Sequence, residues 1–147
     1  MTNTASHRSG HAAHPVRAWT QEFPARPEQV GQARKFLAAA LGGCPVADDA
    51  VLCLSELASN SVLHSASSRP GGAFTVRVQV RHGDYVRIEV RDEGGSWDER
   101  PCADGRAHGL AIVRALAAGS GTDGDALAGW FAWARFDWPG RTAPSKT

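Results

Sequence analysis

The sequence predicts an α+β fold, a two-layer sandwich in which a mixed, mostly antiparallel sheet is covered by helices on one face. Three observations carry this. Ala73 to Arg81 and Tyr85 to Arg91 alternate apolar and polar residues on either side of a His82-Gly83-Asp84 turn. That is the pattern of a β-hairpin with one buried face. Two stretches before the hairpin, Pro27 to about Leu41 and Val46 to Ser65, repeat their apolar residues at helical spacing instead. The inferred order is strand, helix, helix, strand, strand, loop, helix, strand, strand. Hairpins mixed with segregated helices point to helices laid on one side of a sheet.

Residues 1–17 are rich in His, Ser, Thr and Ala without periodicity and read as a disordered tail. His7, His11 and His14 are possible metal ligands, but an unstructured tail is the simpler reading. Ala18 to Phe23 alternates enough for a short first strand. Pro24 and Pro27 then turn the chain into a helix, with Pro27 near its first position. Val30, Ala33, Arg34, Leu37, Ala40 and Leu41 give that helix its period, and Gly42-Gly43 ends it. In the second helix Ala50, Val51, Leu54, Leu57, Ala58, Ser61 and Val62 share one broad side at about 100° per residue. Glu56, Asn60 and His64, spaced four apart, are expected in a line on roughly the opposite side, flanked by Leu52 and Leu63.

After the hairpin, Gly95 to Arg106 is turn-rich, charged and long for a connection, the kind of loop that carries function. A helix is expected over His108 to Ala118 with Leu110, Ile112, Val113 and Leu116 inward, stopped by Gly119 and Gly121. Two last strands follow near Ser120–Asp123 and Trp130–Asp137, the second ambiguous in face because of Trp130 and Trp133. A polar tail over 139–147 leaves one domain, residues 18–138.

The 147 residues are one domain's worth, and 42% hydrophobic content is enough for a real core. Sixteen basic against fifteen acidic residues leave a net charge of +1, which gives no global pull toward nucleic acid or membrane. Cys44, Cys53 and Cys102 are odd in number and scattered, without metal-ligand spacing. A reduced, cytoplasmic setting is the simplest expectation. No apolar run approaches the ~18 residues of a membrane span, and the N-terminus has no signal-peptide core.

Three features carry chemistry. The helical strip of Glu56, Asn60 and His64 is either a solvated polar face or a metal–phosphate site. In the second reading the Asn60 oxygen is a hard ligand suited to a hydrated Mg²⁺. Glu56, one turn earlier, would orient or deprotonate an attacking hydroxyl. Asp92-Glu93-Gly94 follows a strand. It is either a plain turn or a carboxylate that accepts a hydrogen bond from an exocyclic amine such as that of adenine, beside a glycine that lets a flat ligand approach. Gly105-Arg106-Ala107-His108-Gly109-Leu110 opens a helix. It is either a hinge or an anion site in which backbone N–H groups and Arg106 meet phosphate oxygens.

Taken together, these stretches resemble the GHKL ATP-binding superfamily of bacterial histidine kinases and MutL-type proteins, and within it the small anti-sigma-factor serine/threonine kinases. Glu56-Leu-Ala-Ser-Asn60-Ser-Val-Leu-His64 is similar to that family's N box, Asp92-Glu93-Gly94 to its G1 box, and Gly105-Arg-Ala-His-Gly109-Leu-Ala-Ile-Val113 to its G2 box. Order and spacing agree from Phe23 to Phe136. The resemblance implies a Bergerat-type ATP-binding fold with ATP and Mg²⁺ as cofactors. Asn60 would ligate the metal, Glu56 would be the catalytic base, and Asp92 would bind the adenine amine above Gly94. Arg106, His108, Gly109 and Leu110 would belong to the nucleotide site. The implied activity is phosphorylation of an anti-sigma-antagonist protein, with a sigma factor as second partner and a homodimer as assembly. The alternative is a partner-binding module of the same fold, with nucleotide regulatory or absent. Two positions depart from the family pattern. Ala107 stands where a glycine is usual, and Trp130 follows Gly129 where a threonine is usual.

Overall fold

The computed structural model describes residues 14–64, 71–93, 110–125 and 129–140. Five strands and three helices are formed: β1 (Val16–Pro24), α1 (Pro27–Ala40), α2 (Ala47–His64), β2 (Ala73–Arg81), β3 (Tyr85–Arg91), α3 (Leu110–Leu116), β4 (Gly119–Asp125) and β5 (Gly129–Asp137). They make the expected α+β sandwich. The sheet order is β1-β2-β3-β5-β4, and every pairing among the described residues is antiparallel.

The hairpin alternation translates directly into register. Val76 lies opposite Val90, Val78 opposite Ile88 and Val80 opposite Val86, and all but Val80 are buried. Phe74 is fully buried and stacks on Phe23 of β1 with ring centroids 5.5 Å apart. Phe36 of α1 meets Phe23 edge-on at 5.9 Å, so three rings tie the first helix to the sheet's outer strand. Pro27 does stand at the first turn of α1, where its missing N–H costs nothing. Ala33, Leu37 and Leu41 face the core as expected, while Arg34 is exposed.

α2 lies at the centre of the helical layer, touching α1, α3 and strands β2, β3 and β5. A helix packed on so many sides buries more than the usual stripe. Cys53 and Asn60 are therefore buried along with Ala50, Leu54, Leu57, Ala58, Ser61 and Val62. This corrects the expected geometry of the polar strip. Asn60 does not oppose the core face; it is three residues on from Leu57, roughly 60° around the helix, and only 6% exposed. Glu56 is half-buried at the border, and Leu52 and Leu63 stand in solvent. His64 is the last residue of α2, and its side chain lies outside the described residues. α3 is corrected similarly. It spans seven residues, Val113 is its buried member, and Ile112 is 39% exposed rather than inward.

Register resolves the last strand. Trp130, Ala132, Ala134 and Phe136 share the parity of the face that carries the helices, while Phe131, Trp133 and Arg135 point to the other face. There no described helix covers the sheet, and arginines lie over its rings. Arg87 is 4.7 Å from the Trp133 centroid, Arg91 4.8 Å from Phe131 and Arg135 4.6 Å from Tyr85. Arg87 also pairs with Glu89 at 2.9 Å.

Phe74→Ala removes the ring that joins β1, β2 and α1. Denaturant unfolding should show a loss of about 3–5 kcal/mol, as for other buried phenylalanines.

Candidate functional site

The loop after β3 and the start of β5 meet at one end of the sheet. The Asp92 N–H donates to the Trp130 carbonyl at 2.9 Å, and the Trp130 N–H donates to Asp92 Oδ1 at 3.3 Å. Asp92 is only 7% exposed. Its carboxylate accepts a bond from the strand it faces, as a buried charge requires. Two glycines let the chains come this close. Gly129 has φ +105°, and a Cβ there would lie 2.8 Å from the Asp92 carbonyl oxygen. Gly124, at φ +106°, has no room either, because a Cβ would run into the Gly129 carbonyl. Both conformations favour glycine for backbone reasons alone.

Above this clamp lies a cleft of about 280 Å³. Leu57, Asn60 and Ser61 of α2 line one side, and Val90, Asp92, Trp130 and Ala132 line the sheet side. Thr122 reaches it from the edge strand β4. The free space admits about one water molecule. A second cavity of about 470 Å³ adjoins it, sharing Leu57 and Thr122 and lined further by Leu110, Val113, Arg114 and Ser120.

The structure thus brings Asn60 and Asp92 to one cleft and places Leu110 in the neighbouring cavity. Glu56 is on the same helix but is not among the cleft's lining residues. Gly94, Arg106, Ala107, His108 and Gly109 lie outside the described residues. Sequence reasoning missed Ser61 and Thr122. Ser61 was assigned to the packed side of α2, which is correct but did not reveal that this side also borders a cleft. Thr122 is the one β-branched residue within Gly119–Asp125, and its alternation with the glycines was the available signal.

The Asn60 Nδ2 atom is buried without a hydrogen-bond partner among the described residues. An unmet buried donor costs about 1–3 kcal/mol, and a ligand in the cleft would remove that cost. Turning the amide by half a rotation would present its oxygen instead, with no change of shape. Among the described residues no group of three His, Cys, Asp or Glu is arranged to hold a metal. The donor set therefore fits a hydrated cation that takes one amide oxygen from the protein and the rest from water and ligand phosphates. It does not fit an all-protein metal cage. Cys53, one turn before Leu57, is a poor nucleophile. Burial, with Asp49 and Glu56 adding to it, pushes its thiol up to about 11.

A buried amide on the central helix facing a buried carboxylate at the sheet's end, in a helices-over-sheet sandwich, is the layout of a GHKL-type ATPase domain. The chain belongs to the histidine kinase-like ATPase domain family, whose model matches residues 23–121. A solved structure of similar fold is that of the RsbU and RsbW domains of Rv1364c from Mycobacterium tuberculosis. The TM-score is 0.66 at 21% identity, and the match covers 88% of this chain and 35% of that one. At that identity the likeness concerns fold alone, and the chain spans about a third of the longer protein. No curated protein matches the sequence. No described helix is long and apolar enough to cross a membrane.

Gly129→Ala should strain the backbone and push Asp92 out of place. A stability loss of about 1–3 kcal/mol in chemical denaturation is expected, with Trp130 N–H exchange accelerated in hydrogen-exchange measurements.

Proposed function

We propose that this domain binds ATP with Mg²⁺ and acts as an anti-sigma factor and serine/threonine protein kinase, phosphorylating an anti-sigma-antagonist protein. The observation that carries the reading is the meeting of Asn60 and Asp92 in one cleft, with the buried Asn60 Nδ2 left without a partner among the described residues. The motif resemblance to anti-sigma kinases, and a fold shared with a chain that contains an RsbW domain, support it.

Bound ATP supplies the transferable phosphoryl group. Asp92 accepts a hydrogen bond from the exocyclic amine of adenine, its orientation set by the Trp130 N–H. Asn60 holds the metal through its side-chain oxygen, one turn from Glu56. Glu56, half-exposed at the border of the cleft, takes the proton of the incoming serine hydroxyl. By the motif resemblance, the Gly95–His108 loop would be the lid over the phosphates, anchored by Gly109, with Arg106 and His108 contributing contacts and Leu110 beside the nucleotide. Catalysis of this kind rests on positioning and charge neutralisation. A sigma factor is the second partner, and a homodimer the working assembly.

A second reading has its own support. The cleft admits only about one water and Glu56 does not line it. This favours a partner-binding module that holds a sigma-factor regulator without transferring phosphate.

Two measurements separate these readings. Mg²⁺–ATP or ADP at about 100 times its Kd should stabilise the wild type by about 2.7 kcal/mol, seen as a raised thermal midpoint, and Asn60→Ala should abolish the Mg²⁺ dependence of that shift. No shift at millimolar nucleotide leaves only the nucleotide-free module. Glu56→Gln should keep the shift but lower phosphoryl transfer to a serine-bearing antagonist protein by about 10²-fold or more. Transfer that survives this change refutes Glu56 as the base.

A further inference from the structure

We infer that His14 and His82 form a binding site for a divalent ion of the zinc class, at the end of the sheet remote from the nucleotide cleft. Neither residue has a part in the function proposed above, so the two readings stand or fall separately. The register of β1 on β2 brings the pair together. Val16, the first residue of β1, lies opposite Arg81, the last residue of β2. His14 precedes the one by two positions and His82 follows the other directly. Pro15 disfavours a helical bend at His14, which keeps the chain running toward the hairpin turn. The two imidazoles stand with ring centroids 5.0 Å apart and planes 75° apart. A shared ion needs that separation. With metal–nitrogen bonds of about 2.0–2.1 Å at a tetrahedral angle, two imidazole centroids lie about 5 Å from each other. Both residues are exposed, so an ion can reach them from solvent.

His82 stands on a fixed support. Its turn is closed by the Asp84 N–H, which donates to the Arg81 carbonyl at 2.9 Å, and is tied to the end of β5 by the Trp138 N–H, which donates to the Asp84 carbonyl at 2.9 Å. The Trp138 indole also lies against the His82 ring, with centroids 4.6 Å apart. A ligand held by packing is the preorganisation a metal site requires. Two imidazoles suit Zn²⁺, Cu²⁺ or Ni²⁺, whereas Mg²⁺ and Ca²⁺ take oxygen. Asp84 is engaged by Arg81 at 3.8 Å and by Arg135 at 4.0 Å. Among the described residues no third His, Cys, Asp or Glu completes a group, so water fills the other positions. The site is a two-point clip, not a closed cage, and it fastens the start of β1, the outermost strand, to the hairpin. The seven residues of β3 separate the turn from Asp92, roughly 20–25 Å, so this ion and a Mg²⁺ at Asn60 are independent.

The test is calorimetric titration of the full chain, stripped of metal and kept reduced, with Zn²⁺ and separately with Mg²⁺. The thermal midpoint is read alongside, with and without a chelator. The variants are H14A, H82N (asparagine suits a turn) and the double variant H7A/H11A, which removes the two other N-terminal histidines. Circular dichroism checks that each is folded. Wild type should bind Zn²⁺ saturably and Mg²⁺ not at all in the presence of no nucleotide. Zn²⁺ should raise its thermal midpoint, as a ligand of the native state does, and the chelator should reverse the rise. H14A and H82N should each bind Zn²⁺ at least about 10-fold more weakly, since losing a ligand costs no less than losing an outer-shell partner. Each should also lose the midpoint rise, while H7A/H11A keeps both affinity and rise. Wild type without saturable Zn²⁺ binding overturns the proposal. Affinity that survives H14A or H82N overturns it as well, as does affinity lost in H7A/H11A, because the ion would then sit on other residues.

Discussion

The joint between Asp92 and Trp130 is the constraint on which the site depends. β3 ends and β5 begins at this joint. They are held by a backbone bond of 2.9 Å and a side-chain bond of 3.3 Å, across a gap that only a glycine at position 129 can span. The carboxylate is buried because the joint is tight, and it is tolerated there because an N–H of the joint donates to it. Position, burial and partner of Asp92 are one structural fact. The register of β3 against β5 then fixes which side chains rise toward α2.

Opposite the joint, α2 supplies a polar group that folding alone does not explain. Its neighbours Ala50, Leu54, Leu57 and Ala58 bury apolar surface and stabilise the helix against the sheet. Asn60 occupies the same buried arc and leaves a donor unmet. A leucine there would suit stability better. An unmet polar group on a buried helix face that borders a cleft marks function more often than accident. The family match over residues 23–121 gives that residue a context, since the domain type is named for nucleotide chemistry.

The hairpin was readable because its two faces differ: valines and isoleucine on one side, charge on the other, with period two throughout. The three large helical or turn-bounded stretches were readable for similar reasons. What escaped had identifiable causes. The face of Asn60 was misjudged because Glu56, Asn60 and His64, spaced four apart, were placed in one line opposite the core, whereas α2 has α1, α3 and the sheet packed around it and buries more than one side. Ile112 was misjudged because a helix of seven residues gives barely two turns of periodicity. Trp130 and Trp133 could not be sorted by hydrophobicity at all. One borders a cleft and the other lies beneath a guanidinium, and both environments suit an indole. The roles of Gly124 and Gly129 follow from a close approach between strands far apart in sequence, which no local pattern announces.

The far side of the sheet gives a meaning to one feature of the composition. Every basic residue but Lys35 and Lys146 is arginine. Over Trp133, Phe131 and Tyr85 that choice is physical: a flat, weakly hydrated cation can lie on a ring and shield it, whereas an ammonium is compact and keeps its water. With these covers in place, a sheet face that no described helix covers can meet solvent without presenting a bare oily plane. Exchanging the three covering arginines for lysine would preserve charge yet uncover the rings, so on this surface planarity, not basicity, is what keeps the domain wettable.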